Sequence, residues 1–471
     1  MKPMTLEEAK RRGWDVILAG SSFAACFFAH ALKGRGLKVL FVERGRFIDH
    51  DTQLANRTQD HPALVAQNNR SERRKDWTIR YQFGGCSNCW WGNTPRLHPS
   101  DFELRTRYGV GADWPLSYAA LEPYMAEAEE IMQIAGGGSD AFLPRSRPYP
   151  LPPHAPTRAE KVLMEHDPSW VPMPTARASR AGKRSACCAT GACNLCPVDA
   201  KFTILNGMAD FADPGFAYVT GAEVRTVVTE AGAAKGVTVR TPDGAEMELK
   251  ADFVGLAANA ISNAAILLRS GLGGGLVGQG LHEQAGQFVW FNIPFDNYYG
   301  GTSITGAGYG LYDGDFRREA ASVFIESWNA PPALRLERDK WLQRLRIKLV
   351  AEDLPLSENR VVLEGGEAKV VWVGHSDYAY AGLARARDQI SGLLPFEHEV
   401  TRFGDFEPTE SHIQGGTPMA ATPAEGVVDR DCRVFGVKGL ACLGSGVFPA
   451  CAAANPTLTL SAVSLRAGET L

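Results

Sequence analysis

The chain has 471 residues, of which 45% are hydrophobic and 22% are charged. A chain of this length is too long for one simple core, so we expect two domains, consecutive or interleaved. The formal net charge is only −4 and the cations are scattered, which argues against a protein that binds nucleic acid.

The first predicted elements form a strand–turn–helix–strand unit. The apolar run WDVILA at residues 14–19 is typical of a buried parallel strand. Residues 23–32 predict a helix that ends before two glycines, and residues 38–42 predict a second strand. Dinucleotide-binding domains are built from elements in this order.

The turn between the first strand and the helix reads GSSFAA at residues 20–25, where the dinucleotide fingerprint has G-x-G-x-x-G. Gly20 retains the glycine of the tight turn. Ser22 and Ala25 are small enough for the backbone to approach a pyrophosphate. Glu43 follows the second strand, where an acid that binds ribose hydroxyls is expected. The motif does not choose between FAD and NAD, and an ordinary helix turn is the alternative.

The later elements are predicted from apolar spacing and from turn signals such as Pro242-Asp243-Gly244. They are, in chain order, loop and short helix at 51–80, a helix at 121–134, an irregular stretch at 136–184, strands within 217–249, a strand at 251–257, a helix at 261–268, a charged helical patch at 334–346 among strands, and strand, loop and helix within 439–471.

The N-terminus, MKPMTLEEAKRRGWD, has no apolar region of the kind that export signals carry. The longest stretch without charged residues, 439–465, contains Pro449 and Pro456 and predicts buried interior, not a membrane span. We therefore expect no membrane span and a cytoplasmic location, or a periplasmic one only if a signal-bearing partner exports the chain.

Cysteines are unevenly spread, with four of ten at Cys187, Cys188, Cys193 and Cys196. Pro197 follows the last of them, and this spacing is typical of a metal or iron–sulfur site. A structural zinc site, a disulfide pair and a segment without metal are the alternatives.

Several separated blocks of the sequence resemble the glucose–methanol–choline (GMC) family of flavin oxidoreductases. Within it, the likeness is greatest to the bacterial FAD-dependent glucose, gluconate and fructose dehydrogenases, with pyranose oxidases nearby. The blocks are FGGCSNCWWGNTPR at 83–96, LAANAISNAAILLRSGLG at 256–273, VGQGLHEQAG at 277–286, HIQGGTPM at 412–419 and the segment 427–469.

The resemblance implies an α/β fold with two parts. A Rossmann-like FAD-binding domain would be assembled from residues 1–100, 205–290 and 405–471. A sheet-based substrate domain would comprise 101–204 and 291–404, including the Cys-rich segment at 187–196. The residues implied to bind FAD are Gly20, Ser21, Ser22, Phe23, Glu43, Arg44, Gly84, Gly85, Ser87, Cys89, Asn93, Val224, Ala258, Asn259, Gly444, Asn455, Pro456 and Thr457.

Alcohol oxidation by hydride transfer requires a base for the hydroxyl proton beside the flavin. The resemblance implies that His412 is this base and that Asn455 hydrogen-bonds the same hydroxyl. The alternatives are a loop histidine and an asparagine that caps the helix beginning near Leu458.

The resemblance also bears on the cysteines. In the dehydrogenase branch, a similar segment followed by Ala-Lys holds a three-iron (3Fe–4S) cluster, and Ala200-Lys201 follows here. The last two cysteines are separated by two residues instead of three. Cys89 stands where pyranose oxidases attach flavin through a histidine, so it predicts either a covalent flavin link or a buried, inert thiol.

Together these features predict an FAD-dependent dehydrogenase that oxidises an alcohol of a sugar, glycoside or polyol. Electrons would pass through the cluster to an accepting subunit or cytochrome, with a small partner subunit. The alternatives are an oxidase that makes hydrogen peroxide, a non-catalytic flavin-binding subunit and a nicotinamide-linked dehydrogenase. Aromatic residues that would stack on a sugar ring, or pack in the core, are Trp90, Trp91, Trp290, Phe291 and Tyr298.

Overall fold

The computed structural model describes residues 1–56, 63–138, 141–297, 300–329 and 334–471. Its α-helices are α1 Leu6–Lys10, α2 Phe23–His30, α3 His50–Ala55, α4 Leu104–Tyr108, α5 Tyr118–Met132, α6 Arg158–His166, α7 Ala260–Ser270, α8 Asp377–Gln389 and α9 Thr457–Glu469. Within these ranges, no helix is long and apolar enough to cross a membrane.

The strands are short except where they form the two large sheets. They are β1 Lys2–Pro3, β2 Trp14–Ala19, β3 Val39–Val42, β4 Ala63–Leu64, β5 Ala66–Asn69, β6 Thr78–Ile79, β7 Trp170–Pro172, β8 Phe216–Val219, β9 Glu223–Glu230, β10 Ala233–Arg240, β11 Glu246–Leu256, β12 Ala285–Asn292, β13 Ile304–Gly308, β14 Val323–Trp328, β15 Arg344–Ala351, β16 Arg360–Glu364, β17 Glu367–Trp372, β18 Glu399–Glu407 and β19 Leu440–Cys442.

The first sheet has the strand order β1-β8-β3-β2-β11-β10-β9, with β19 also paired to β11. Its central strands β8, β3, β2, β11 and β19 are parallel. Parallel strands buried on both faces read as continuous apolar runs, which explains WDVILA and VLFV. The N-terminal half of β11 continues into an antiparallel hairpin with β10.

Helices α2 and α9 pack closely together against this sheet. A Cβ added at Gly468 of α9 would lie 2.4 Å from the carbonyl oxygen of Phe28 in α2, so glycine is what allows the approach. Helix α5 packs on α9 in turn, and the Tyr124 hydroxyl donates to Glu469 at 2.7 Å. The C-terminal helix thus lies at the centre of the dinucleotide-type unit.

The second sheet is antiparallel, with the order β18-β12-β15-β14-β13-β7. One face carries Val289, Ile347 and Leu349, which pack with residues of α8 such as Leu383 in one apolar cluster. Side chains alternate along a strand, so Phe288, Trp290 and Lys348 lie on the opposite face. Two small sheets, β16-β17-β5 and β4-β6, complete the fold.

The structure confirms the early predictions for β2, α2, β3 and α7 and the closing order of strand, loop and helix. The helical patch predicted at 334–346 is wrong. Residues 344–351 form β15, because Leu345, Ile347 and Leu349 alternate into the core. The stretch at 136–184, predicted as irregular, contains α6 and β7. The division into domains stays a prediction.

Candidate active site

The turn after β2 is shaped for close approach of backbone to a ligand. Gly20 has φ +105°, and a Cβ there would lie 2.6 Å from the carbonyl oxygen of Ala257. Helix α2 then begins at Phe23 with Ser22 at its N-cap, and Ser22 makes no side-chain capping bond. Because no side chain caps α2, its first N–H groups are available to donate hydrogen bonds to a bound group, as a phosphate site requires.

Glu43 connects this turn to the segment 83–96, which contains Gly84 and Gly85 and is called here the glycine-pair loop. Its Oε2 accepts from Ser21 Oγ at 2.6 Å, and Ser21 Oγ accepts from the Gly84 N–H at 2.9 Å. Its Oε1 accepts from the Gly45 N–H at 2.8 Å. Burial raises the pKa of Glu43 despite these bonds. The carboxyl group therefore already holds the turn and the loop together, and each oxygen retains a second lone pair for a ribose hydroxyl.

The N-terminus of α9 is also without a side-chain cap. The alternative interpretation of Asn455, as the cap of this helix, is wrong: the helix begins at Thr457 and Pro456 holds the N-cap position. Side chains cap α1, α3, α5, α6, α7 and α8, whereas the five-residue helix α4 is also without a side-chain cap. The buried Oδ1 of Asn455 has no hydrogen-bond partner among the described residues. Two open helix ends and an orphaned amide oxygen fit a large polar cofactor such as FAD.

His412 is oriented by Gln284. Its Nδ1 lies 2.6 Å from Gln284 Oε1, while Gln284 Nε2 donates to the carbonyl oxygens of Ala452, Ala453 and Ala454 at 2.7, 3.2 and 2.9 Å. Since the amide nitrogen faces three carbonyls, the amide oxygen must accept, and Nδ1 of His412 carries the proton. Nε2 is then the basic nitrogen. The same amide connects the imidazole to the segment that leads into Asn455.

The loop that carries His412 is held by Glu283. Its Oε1 accepts from Thr409 Oγ1 at 2.6 Å and from the N–H groups of Glu410 and His412, both at 2.8 Å. Its Oε2 forms a buried ion pair with Lys75. Because Glu283 and Gln284 are adjacent and immediately precede β12, the segment that enters this strand fixes both the backbone and the ring of His412.

The electrostatics keep His412 neutral. Burial, followed by the charges of Lys348 and Lys75, lowers the pKa of His412 to about 3. Lys348 Nζ lies 2.7 Å from Glu410 Oε2 and 2.8 Å from Glu407 Oε2. Burial raises the pKa of Glu410 to about 7, against the effect of Lys348. A neutral imidazole at neutral pH is the form that accepts a proton.

The glycine-pair loop meets the second sheet beside this site. Asn93 Nδ2 donates to Glu326 Oε1 at 3.1 Å, and its Oδ1 accepts from Arg177 at 3.0 Å. Trp328 Nε1 donates to Glu326 Oε2 at 2.9 Å, and the Trp328 ring lies 5.1 Å from that of Trp91. Asn93 is thus bound to the protein, and the second sheet forms a wall over the loop.

The remaining residues implied to bind FAD fall into two groups: residues whose side chains contact other parts of the protein, and residues next to the open ends of α2 and α9. Asn259 caps α7, Ser87 accepts from the Ile204 N–H at 3.1 Å, and Val224 is buried in β9. Arg44 is exposed and its guanidinium lies 4.2 Å from the centre of the Tyr81 ring. Those beside the turn of α2 or at the start of α9 are Phe23, Gly85, Ala258, Gly444, Pro456 and Thr457.

The four clustered cysteines do not converge. Cys193 Sγ accepts from Ser303 Oγ at 3.0 Å and Cys187 Sγ lies 3.7 Å from Thr302 Oγ1, while Cys188 is exposed. Cys196 Sγ accepts from the Ala200 N–H at 3.2 Å. Among the described residues, no three His, Cys, Asp or Glu side chains form a set that holds a metal ion. The conformation of segment 187–196 therefore does not fit the predicted iron–sulfur cluster.

The sequence predicted either a covalent flavin link or a buried, inert thiol at Cys89, and the structure differs from the second description. Cys89 is only partly buried, and a hydrogen bond from the Cys86 thiol lowers its pKa to about 6. Burial opposes this shift, while Arg80 and Lys201 reinforce it. A thiol with this pKa has thiolate character at neutral pH.

The aromatic residues have different positions. Trp290 lies on the site-facing side of the second sheet, whereas Phe291 is buried on the α8 side and cannot stack on a substrate. Trp90 packs on Phe23 and donates to the carbonyl of Phe202. Tyr298 lies outside the described residues.

The sequence interpretation missed the residues that support His412. A signal was present in LHEQAG, where polar residues precede a buried strand without a turn residue. Buried polar side chains of this kind require partners. The missed residues are Lys75, Glu283, Gln284, Lys348 and Glu410.

Comparisons with known proteins agree with this geometry. The family model described as GMC oxidoreductase matches residues 383–464. The large subunit of fructose dehydrogenase from Gluconobacter japonicus is 26% identical over 97% of this chain and 97% of its own length. Paromamine 6'-oxidase from Streptomyces fradiae is 28% identical over 97% of this chain and 91% of its own.

A solved structure concerned with FAD modification in formate oxidase from Aspergillus oryzae RIB40 has a TM-score of 0.68. It is 14% identical and covers 98% of both chains. This likeness shows the fold, an α/β flavoprotein fold with a second sheet beside the dinucleotide-type unit. Residues 383–464 thus match the GMC oxidoreductase family, and the chain is similar along nearly its whole length to enzymes described as a dehydrogenase subunit and an oxidase.

Proposed function

We propose that this protein oxidises a CH–OH group of a sugar, glycoside or polyol to a carbonyl. The observation that carries the proposal is the arrangement around Gln284, which leaves Nε2 of a neutral His412 as a base next to the segment of Asn455. FAD supplies the hydride acceptor when bound. The turn at Gly20 and the open ends of α2 and α9 would hold it.

The residues of the chain handle the proton. Nε2 of His412 accepts the hydroxyl proton of the substrate, and the Asn455 amide N–H donates to the oxygen on which negative charge develops. The proton then resides on Nε2 while Nδ1–H stays bonded to Gln284. Because burial disfavours the imidazolium, the proton passes from the half-buried ring to solvent water, and the base is regenerated.

Sugar-type substrates are supported by two observations. The relatives named above are a fructose dehydrogenase subunit and a paromamine oxidase. The wall over the site presents the ring of Trp328, which the buried carboxyl of Glu326 holds in place. Aromatic faces suit the apolar faces of a sugar ring.

The test is reduction of bound flavin by substrate without oxygen. His412→Ala, loaded with FAD, should reduce flavin about 10²- to 10⁴-fold more slowly across a panel of sugars and polyols. His166→Ala is the matched control, because this histidine is exposed on α6. Equal rates in His412→Ala and the native protein would refute the proposed base. If no compound of the panel reduced the native flavin, the non-catalytic subunit would be favoured.

The electron acceptor belongs to the proposal as well. We favour a dehydrogenase that delivers electrons to a partner subunit or cytochrome, since one relative is the large subunit of a fructose dehydrogenase. The other is an oxidase, and stoichiometric hydrogen peroxide in air would select that alternative. Iron and acid-labile sulfide analysis of the purified protein tests the predicted cluster at Cys187, Cys188, Cys193 and Cys196. Cell fractionation tests the predicted cytoplasmic location.

A further inference from the structure

A row of alternating arginines and aromatic rings lies at the outer end of the site-facing side of the second sheet. In the strand register, Trp290 of β12 stands opposite Arg402 of β18 on one side and Arg346 of β15 on the other. The Arg346 guanidinium also lies 5.4 Å from the centre of the Trp328 ring. We call Arg402, Trp290, Arg346 and Trp328 the arginine–tryptophan row.

The arginines of the row are held by stacking and not by carboxylates. The guanidinium of Arg402 lies 4.1 Å from the centre of the Trp290 ring, and that of Arg346 lies 3.7 Å from the centre of the Phe288 ring. Neither has a salt bridge within the described part of the chain, and Nε of Arg346 is buried without a hydrogen-bond partner. Guanidinium groups stacked in this way keep their N–H edges available for a carboxylate or phosphate.

The row forms one wall of a groove of about 860 Å³. The acidic residues that line the groove are largely engaged elsewhere. Glu337 pairs with Arg335 and Glu407 pairs with Lys348, which leaves Asp405 as the acidic lining residue without a salt bridge among the described residues. The groove therefore presents more unpaired positive than negative charge.

The groove lies on the face of the second sheet that also meets the His412 loop. Two residues further along β12, Phe288 stands opposite Lys348, which stands opposite Glu326 of β14. Residues two apart on a strand are separated by about 7 Å. Lys348 contacts Glu410, two residues before His412. The arginine–tryptophan row is thus about one strand repeat beyond the residues that contact the His412 loop, on the same face.

We propose that the arginine–tryptophan row binds a second, ring-bearing unit of the substrate that carries a carboxylate or phosphate. The substrate class is then a glycoside in which one unit is oxidised at His412 and the other is anionic. This inference rests on the proposed function for the identity of the oxidised unit, but the anion-binding site itself does not depend on turnover.

The test is calorimetric titration of the FAD-loaded protein with 4-carboxyphenyl β-D-glucoside and with the methyl ester of the same compound. The acid should bind about 10-fold or more tightly than the ester, because hydrogen bonds to charged groups exceed neutral ones by this order. The preference should weaken as salt is added. Arg346→Gln combined with Arg402→Gln should abolish the preference while affinity for the ester is retained. Arg318→Gln, an exposed arginine outside the groove, should behave like the native protein.

Three outcomes would overturn the inference: equal binding of acid and ester by the native protein, a preference that persists in the double variant, or a preference lost in Arg318→Gln. Vesicles containing phosphatidylglycerol that bind the native protein but not the double variant, without any preference for the acid, would replace the glycoside by a lipid surface and also overturn it. If the acid is preferred but no sugar reduces the flavin, the proposed function fails and the anion site stands.

Discussion

Gln284 determines which nitrogen of His412 is basic, and Gln284→Met removes this control while keeping the side chain's length. The imidazole then loses the acceptor of its Nδ1–H bond, at 2.6 Å in the structure, and the carbonyls of residues 452–454 lose their donor. A buried donor left unsatisfied costs about 1–3 kcal/mol.

If that cost falls on the catalytically competent tautomer, flavin reduction should slow about 10- to 100-fold, at about 1.4 kcal/mol for each factor of ten. The assay is anaerobic stopped-flow reduction of bound flavin at saturating substrate. Gln287→Met is the matched control, because Gln287 lies three residues further along the chain, in β12, and donates to the carbonyl of Gly404 at 2.7 Å. Both variants lose buried hydrogen bonds, but only the first contacts the base.

A Gln284→Met protein that retains its flavin and reduces it at the native rate would refute this role of Gln284. The role would also be rejected if Gln287→Met slowed reduction equally, since the effect would then report general destabilisation. A carboxylate at this position, in Gln284→Glu, should raise the pKa of His412 from about 3, because a negative charge stabilises the imidazolium. The rate should then decline on acidification at a higher pH than in the native protein.

Three further predictions concern the cofactor turn, the ion pair beneath the site and pH. Gly20→Ala should lower FAD retention on gel filtration, because its Cβ would lie 2.6 Å from a carbonyl oxygen, whereas Gly34→Ala, with φ +74° and open space, should not; equal retention would contradict the steric argument. Lys75→Met should destabilise the protein to urea by about 3–5 kcal/mol, since it leaves Glu283 buried and unpaired, while Lys369→Met, in an exposed pair, should cost about 0–1 kcal/mol; similar losses would count against the burial argument. His412 titrates at about 3 in the folded state and near 6.5 unfolded, so its contribution to stability is complete above pH 6.5 and is lost as pH falls toward 3. Urea unfolding of native protein and His412→Gln should therefore show a difference that changes in favour of the variant on acidification, and parallel pH profiles would disprove this.

The sequence was most informative where local pattern and burial agree. The apolar runs of β2 and β3 predicted the parallel sheet, and Gly20 marked the turn whose φ only glycine adopts easily. The sequence pattern gave a wrong helix at 334–346. Charged residues at helical spacing there concealed the alternation of Leu345, Ile347 and Leu349 in β15. Alternation over a short strand is a weaker signal than a longer helical pattern, because strand formation depends on the neighbouring strands with which it pairs.

The support for His412 was beyond sequence reasoning for a different physical reason. Gln284 and His412 are 128 residues apart, and their bond exists only because β12 and the loop after β18 meet beside the Ala-rich segment 452–454. The polar run before β12 indicates that its side chains need partners, but it does not say which residues those partners are. The role of Asn455 was predicted from its motif, but the sequence did not predict that the N-terminus of α9 has no side-chain cap.

The placement of β19 and α9 has a consequence for biosynthesis. Strand β11 pairs with β2 from near residue 14 and with β19 from residue 440, and α9 packs on α2. A chain emerging from the ribosome must therefore hold its β2–α2–β3 unit incomplete, with apolar surface uncovered, until residues 440–469 have been synthesised. Chaperone dependence and poor yield of versions that lack α9 are the expected costs of building the cofactor pocket from segments more than 400 residues apart.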